Sequence, residues 1–368
     1  MVFAVVTGGG TSGHVIPAQA ILEGLVEAGH PVEELRYVGA RRGVETVLMA
    51  NSAIECEFLP ISGLQRSISL RSLRRNLALP FRLMRSAFAA RALIKKWQPR
   101  VVVSVGGYAS EPMSAAASRA GIPLVCVSYD RTPGLATRRQ ARKAAVSAVA
   151  FADSGLPRAV TTGAPVRAEL RHLDVAHRRD ASRDSLGIPR DAVVVAVTGG
   201  SLGSAVLNSL VKDVLQSMSV VPVPVAVYHV CGERNLSDPE PVAPPNVWYR
   251  RVGYESRMAD VYSSADVLIA RAGASTIAEV ATVGVASVIV PWAGSADNHQ
   301  AKNAAWLGDE NAAIVRTEDD CAAGRATQSV VELLQNSQLR GQIAQRAFEM
   351  GAIHRSDALI RTIENAAL

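Results

Sequence analysis

Residues 271–304 read RAGASTIAEVATVGVASVIVPWAGSADNHQAKNA. An apolar run, Val267 to Ala270, predicts a buried strand that enters a glycine-containing turn. A helix is expected to open near Ser275 and to carry Glu279 on its first turns. A second strand, Ala286 to Val290, stops at Pro291, and a polar loop with Asp297, Asn298, His299 and Gln300 leads into a further helix. This is the pattern of a phosphate-and-sugar site. Backbone N–H groups at Ala274, Ser275 and Thr276 would cradle a diphosphate at a helix N-terminus. Glu279 offers a carboxylate for the two hydroxyls of a ribose, and the polar loop offers groups that match a sugar ring. Each part alone has a plainer reading, since a glycine can simply turn the chain and an early glutamate simply suits the helix dipole. Their clustering at the carboxyl ends of successive strands favours a ligand site, because open α/β sheets bind there.

The same alternation of short Val/Ile-rich runs and longer helical stretches extends over the chain and predicts βα units with parallel sheets. In the first half, strands are expected at 2–7, 34–38, 56–59, 101–105, 124–127 and 146–150. A second series is expected at 192–198, 225–229, 247–250, 267–270, 286–290 and 313–315. Both series begin alike. The first strand ends in Thr7-Gly8-Gly9-Gly10-Thr11-Ser12-Gly13-His14, and the second series opens on Thr198-Gly199-Gly200-Ser201-Leu202-Gly203-Ser204. Glycine lets a backbone turn sharply and approach an anion. Neither loop is a Walker A motif, because no Gly-Lys-Ser/Thr follows. The acidic residue of a dinucleotide site is missing after the second strand, where the chain reads Tyr37-Val38-Gly39-Ala40, which argues against a nicotinamide enzyme. The expected fold is α/β, with two Rossmann-like parallel-sheet domains facing across a cleft, one loop serving a donor and the other an acceptor or the reacting centre. The junction is expected between Arg167 and Ala181. This gives an N-terminal domain over 1–170, a C-terminal domain over 171–345 and a C-terminal helix over 346–368. A single amphipathic helix from about Ser337 to Ala367 could return to cover the first domain.

A chain of 368 residues suits two domains, and 48% apolar content is enough to bury both cores. The net charge of +6 fits an anionic partner, and without a nucleic-acid-binding motif no nucleic acid is expected. Cys56, Cys126, Cys231 and Cys321 are widely spaced without a CxxC pair, which predicts reduced thiols and no zinc site. The opening apolar run ends in glycines, so neither a signal peptide nor a membrane span is expected.

Several separated motifs, in order, resemble those of the MurG family of glycosyltransferases. They are Gly9-Gly10-Thr11-Ser12-Gly13-His14 with Pro17, Gly106-Gly107-Tyr108 with Pro112, Pro133-Gly134-Leu135-Ala136, and Gly163-Ala164-Pro165-Val166-Arg167. Gly199-Gly200-Ser201-Leu202-Gly203 with Asn208, Arg271 to Glu279, and His299-Gln300 to Asn303 complete the set. The resemblance runs over nearly the whole chain. It implies a GT-B architecture and an inverting transfer of N-acetylglucosamine from UDP-N-acetylglucosamine to the C4 hydroxyl of the muramyl sugar of lipid I, forming lipid II for peptidoglycan. The C-terminal domain would bind the donor and the N-terminal domain the lipid acceptor. Carried over by position, Glu279 would hold the ribose, Ala274, Ser275 and Thr276 the diphosphate with Ser201 nearby, and Gln300 with His299 the sugar hydroxyls. Arg167 would be a donor-side contact. The loop residues Thr11, Ser12 and Gly13 would contact substrate. The uracil would meet backbone within Gly253 to Met258.

One segment departs from the family. A His-Glu-x-Asn motif is replaced by Val127-Ser128-Tyr129-Asp130, so Asp130, which accepts but does not donate as an amide would, stands in the asparagine's place as a substrate contact. His14 is the expected general base, being an imidazole at the start of a helix after the first glycine loop. Asp130 is a second candidate by position. His229 is expected to be structural. No Asp-x-Asp motif holds a cation, so helix N-termini would meet the leaving-group charge. Mg²⁺ could assist but is not obligatory, and Asp319-Asp320 reads as a solvated helix start.

Residues 64–97 interleave Arg66, Arg71, Arg74, Arg75, Arg82 and Arg85 with Leu70, Leu73, Leu77, Leu79, Phe81, Leu83, Met84 and Phe88. Pro80 is expected to break or kink a helix there. This composition suits an anionic membrane surface, reinforced by Arg138, Arg139, Arg142 and Lys143. The expected location is peripheral, on the cytoplasmic face of the cell membrane. Three rivals remain open: a related lipid-directed or natural-product transferase, a UDP-sugar 2-epimerase, and a non-catalytic scaffold.

Overall fold

The computed structural model describes residues 1–42, 44–61, 79–200, 202–218 and 221–368. The chain forms two compact units. One comprises Met1–Ala168 with Ser356–Leu368, and the other Glu169–Arg355.

The first unit holds a seven-stranded parallel sheet in the order β3-β2-β1-β4-β5-β6-β7. Its strands are β1 (Ala4–Thr7), β2 (Leu35–Ala40), β3 (Glu55–Leu59), β4 (Val101–Ser104), β5 (Leu124–Ser128), β6 (Val146–Val149) and β7 (Ala159–Thr161). A parallel strand with helices on both faces is buried on both sides and therefore reads as continuous apolar sequence. Accordingly Ala4, Val5 and Val6 of β1 and Val101, Val102 and Val103 of β4 are wholly buried. Each such valine contributes roughly 1.5–3 kcal/mol of burial. The order reverses between β1 and β4, which opens a crevice at the carboxyl ends of these two strands.

The second unit repeats the plan in six parallel strands, β10-β9-β8-β11-β12-β13. They are β8 (Val193–Thr198), β9 (Val225–Val230), β10 (Val247–Val252), β11 (Val267–Ala270), β12 (Ser287–Ile289) and β13 (Ile314–Val315). Its reversal lies between β8 and β11.

Every strand expected from the sequence forms, with ends shifted by at most about two residues. β7 was not expected; it is three residues long, exposed along its length and pairs only with β6. The single terminal helix is corrected. Residues 337–367 break into helices Ser337–Met350, Ala352–Arg355 and Ala358–Ala366. The first break falls at Gly351, where a β-carbon would lie 2.0 Å from the Ala281 carbonyl oxygen, so close backbone packing fixes the glycine there. The last of these helices belongs to the first unit. There Glu364 meets His30 at 3.0 Å and the Ala367 carbonyl accepts from Arg100. Pro80 is the second described residue of the helix Leu79–Trp97, and the expected break there falls against residues 62–78, which lie outside the described residues. Residues 64–78 of the basic and apolar segment, with Arg66, Arg71, Arg74 and Arg75, lie outside the described residues, as does Ser201. No helix among the described residues is long and apolar enough to cross a membrane.

Candidate functional site

In the first unit the carboxyl ends of β1, β4 and β5 bring together Gly8–His14, Val105–Gly107 and Tyr129–Asp130. The helix Ser12–Glu27 starts at once after the glycine loop, so His14 is its third residue. Thr11 is the N-cap in extended conformation, and its side chain makes no capping bond. Thr11 and Gly13 are exposed, and Ser12 and His14 partly so.

His14 Nδ1 lies 2.8 Å from the hydroxyl of buried Tyr129, which in turn donates to the Gly13 carbonyl at 2.5 Å. The opposite edge of the imidazole faces the β4 loop. A β-carbon on Gly107 would come within 2.7 Å of His14 Cδ2, and Gly107 has φ +77°, so a glycine is required on both counts. Burial lowers the His14 pKa below the usual 6.5, and the charge of Asp130 opposes the shift only in part. The ring is therefore neutral near pH 7 and able to accept a proton.

The loop itself is tied down from beneath. Glu45, wholly buried, accepts from the Gly10 N–H at 2.7 Å and from the Ala40 N–H at 3.2 Å. The Gly10 N–H is thus already satisfied by an internal carboxyl group. In the departing motif Val127 and Ser128 are buried at the end of β5, and Tyr129 and Asp130 follow it.

In the second unit the equivalent ends gather around Gly273. The helix Ala274–Val283 begins one residue before the expected Ser275, and its N-cap Gly273 supplies no side-chain bond. The first-turn N–H groups at Ala274, Ser275 and Thr276 therefore have no side-chain cap competing with a ligand anion. Glu279, partly exposed, accepts from the hydroxyl of buried Tyr262 at 2.8 Å through Oε2. That bond fixes the carboxylate's orientation.

Arg271 joins three strand ends. It donates to Ser204 Oγ at 2.9 Å, to the carbonyls of Val290 and Pro291 at 3.1 and 3.2 Å, and pairs with Glu318 at 2.6 Å. Ser204 in turn caps the helix Ala205–Ser217. Gly203 has φ +69°, and a β-carbon there would lie 2.0 Å from the Cys231 carbonyl oxygen. Asn303, buried, donates to the Ala272 carbonyl and anchors the following helix to the same turn.

The polar loop after β12 is built on two left-handed residues in succession, Asp297 (φ 52°) and Asn298 (φ 53°), residue types that tolerate this region best after glycine. His299 Nδ1 donates to the Ala296 carbonyl at 2.8 Å, which leaves Nε2 as the acceptor. The Gln300 side-chain oxygen accepts from the Trp292 N–H at 3.0 Å, so its amide nitrogen is the group able to donate to a hydroxyl.

His229 is buried between Tyr249 and Asn208, with both ring nitrogens bonded at 3.0 Å, and burial pushes its pKa down to about 4. It is a structural group. Within the segment Gly253 to Met258, Glu255 is clamped by Tyr228 and Arg257. Burial works against its charge, but those bonds prevail and hold its carboxyl at about 2. Asp320 forms a capping box with Thr317 at the start of the helix Glu318–Ala322. Arg167 lies next to the last residue, Ala168, of the first unit's main segment. Among the described residues no cluster of histidine, cysteine and carboxylate side chains could hold a metal ion, and all four cysteines are free.

Sequence reasoning missed Glu45, the hydroxyls of Tyr129 and Tyr262, and the role of Arg271. Only Arg271 had a local signal, as an arginine directly after a buried strand.

Residues 4–149 match the glycosyltransferase family 28 N-terminal domain and residues 194–356 its C-terminal domain. A UDP-N-acetylglucosamine–N-acetylmuramyl-(pentapeptide) pyrophosphoryl-undecaprenol N-acetylglucosamine transferase of Desulforudis audaxviator is 32% identical, over 99% of this chain and 98% of its own. The protein of the same name from Xylella fastidiosa strain Temecula1 is 36% identical over 92% and 90%. The crystal structure of Acinetobacter baumannii MurG superposes with a TM-score of 0.72 at 27% identity, covering 99% of each chain. The glycosyltransferase of kitacinnamycin, 16% identical over 99% of this chain and 97% of its own, shares the fold with a TM-score of 0.67. The two parallel-sheet units are thus those of the GT-B fold, and the chain belongs to the MurG family of N-acetylglucosamine transferases.

Proposed function

We propose that the chain transfers N-acetylglucosamine, with inversion, from UDP-N-acetylglucosamine to the C4 hydroxyl of the muramyl sugar of lipid I, giving lipid II and UDP. The observation that carries this reading is the second unit's pairing of an uncapped helix N-terminus at Ala274 with a carboxylate, Glu279, held by Tyr262, in a chain with full-length transferase relatives. A helix N-terminus can hold a diphosphate and a nearby carboxylate can accept from ribose hydroxyls.

In the reaction the acceptor oxygen forms a bond to the anomeric carbon as the bond from that carbon to the β-phosphate oxygen of UDP breaks. His14 takes the hydroxyl proton. The N–H groups of Ala274, Ser275 and Thr276, with Ser201 nearby, meet the charge that grows on the diphosphate. Gln300 and His299 orient the sugar, Arg167 is a donor-side contact, and Thr11, Ser12, Gly13 and Asp130 contact substrate. No metal is obligatory, so transfer is expected to persist in EDTA.

The acceptor is a membrane lipid, and the helix Leu79–Trp97 supports a peripheral membrane contact on the cytoplasmic face. Phe81, Leu83, Met84 and Phe88 are exposed on it. A groove of about 570 Å³ beside it is lined by Leu83, Arg119, Arg139, Arg142 and Lys143. Apolar side chains beside cations suit an anionic lipid surface.

A second reading, transfer to another lipid-linked acceptor, is favoured only by the replaced motif at Val127 to Asp130. Labelled N-acetylglucosamine transfer to a lipid I analogue separates the two. Lipid II-like product supports the first. Binding of the donor without transfer to that acceptor supports the second.

A further inference from the structure

The imidazole of His14 is held by a chain of bonds whose direction follows from what each group can donate. Tyr129 is buried, and burial, with Asp130 beside it, raises its pKa well above 10, so its hydroxyl carries one proton. That oxygen has three polar neighbours: the Gly13 carbonyl at 2.5 Å, the Val105 carbonyl at 3.5 Å and His14 Nδ1 at 2.8 Å. Carbonyls only accept. If the hydroxyl proton pointed to His14, two oxygens would face each other at 2.5 Å with no hydrogen between them. The proton therefore goes to Gly13, and Tyr129 must accept from His14.

Pro17 explains why the Gly13 carbonyl is available. It is the fourth residue after Gly13 inside the helix Ser12–Glu27 and has no N–H to donate back along the helix. The tyrosine hydroxyl fills the place of the missing helical bond.

We infer that Tyr129 is a positioning residue that fixes His14 as the Nδ1–H tautomer and so leaves Nε2 as the proton-accepting nitrogen. Nε2 lies on the edge turned to the Gly106-Gly107 backbone, where no side chain larger than hydrogen fits at Gly107. The family motif has no requirement at this position, and here a tyrosine stands in it.

The inference rests on His14 as the base, but its direct test does not. Histidine-labelled protein is examined by ¹⁵N NMR for the His14 ring, assigned by its loss in His14→Ala, in wild type and in Tyr129→Phe. The expected result is a protonated Nδ1 and an unprotonated Nε2 in wild type, and a tautomer mixture in the variant. A wild-type ring protonated on Nε2, or a tautomer unchanged by Tyr129→Phe, would overturn it.

Kinetics add a second readout. Tyr129→Phe is expected to lower kcat about tenfold or more, part of the roughly 10²–10⁴-fold that a positioned base supplies, with KM for UDP-N-acetylglucosamine unchanged. In the His14→Ala background the same change is expected to have no further effect. An equal loss in both backgrounds would make Tyr129 merely structural. Wild-type transfer by His14→Ala would remove the base reading while the NMR result still decides the tautomer.

Discussion

The glycine loop after β1 and the single-glycine turn after β11 each lie beside the reversal of their own sheet's strand order, yet their side-chain partners differ. After β1, the loop Gly8–His14 is closed on internal partners: Glu45 takes the Gly10 N–H and Tyr129 takes His14. After β11, the turn Arg271–Gly273 leads to a helix whose N-terminus has no side-chain cap, and arginine and asparagine hold it from behind. On the proposed function the first loop presents the neutral imidazole of His14 to the acceptor, and the second receives the donor diphosphate. We propose a division of labour between these two strand ends, set by their buried neighbours.

The largest expected effect breaks the first half of this contrast. His14→Ala should lower kcat by about 10²–10⁴ and leave donor KM near wild type in steady-state assays. Glu279→Ala should act on the other half and raise KM for UDP-N-acetylglucosamine by about 10–100-fold, the equivalent of roughly 1.5–3 kcal/mol of charged hydrogen bonding. Gly107→Ala should lower both activity and stability, the latter by about 1–3 kcal/mol, because the added carbon meets the His14 ring in a left-handed backbone; thermal melts and kcat together would check it.

Acid should act on both units. His14 is lowered below 6.5 by burial, and His229 and His354 in the second unit lie at about 4 for the same first cause. Between about 6.5 and 4 these histidines bind protons in the unfolded chain but not in the folded second unit, so stability falls as the pH is lowered across that window; below it the histidine contribution levels off, and the loss continues as Glu255, held at about 2, is protonated. Each of these two histidines accounts for at most roughly 3 kcal/mol. Urea titrations at several pH values would measure this, and His229→Gln should flatten the slope. Activity should hold at neutral pH and fall only once His14 protonates, below 6.5. The smallest expected effect is that of Phe88→Ser, which should weaken binding to anionic vesicles with no change in donor binding.

The sheets were legible in the sequence because parallel strands are buried on both faces and appear as runs such as Val101-Val102-Val103. So were the turns, where Gly107 and Gly203 leave no room for a side chain. β7 was not, since three exposed residues at a sheet edge carry no apolar signature. The terminal helix was read as one because Gly351 looks tolerable within a helical pattern, and only the approach of the Ala281 carbonyl makes it a break. The candidate site residues His14, Glu279, His299 and Gln300, which lie on helices that follow strand ends, were nameable as candidates from the sequence. Their partners were not. Glu45 lies 35 residues from Gly10 and Tyr129 lies 115 from His14. Nothing local distinguishes such residues from any other buried glutamate or tyrosine.

The most direct test of the division of labour is donor binding measured by calorimetry, beside single-turnover transfer, for His14→Ala and Glu279→Ala. The account predicts that His14→Ala binds UDP-N-acetylglucosamine like wild type and fails to transfer it, while Glu279→Ala binds it at least tenfold more weakly. Weakened donor binding by His14→Ala, or undiminished transfer by it, would contradict the account.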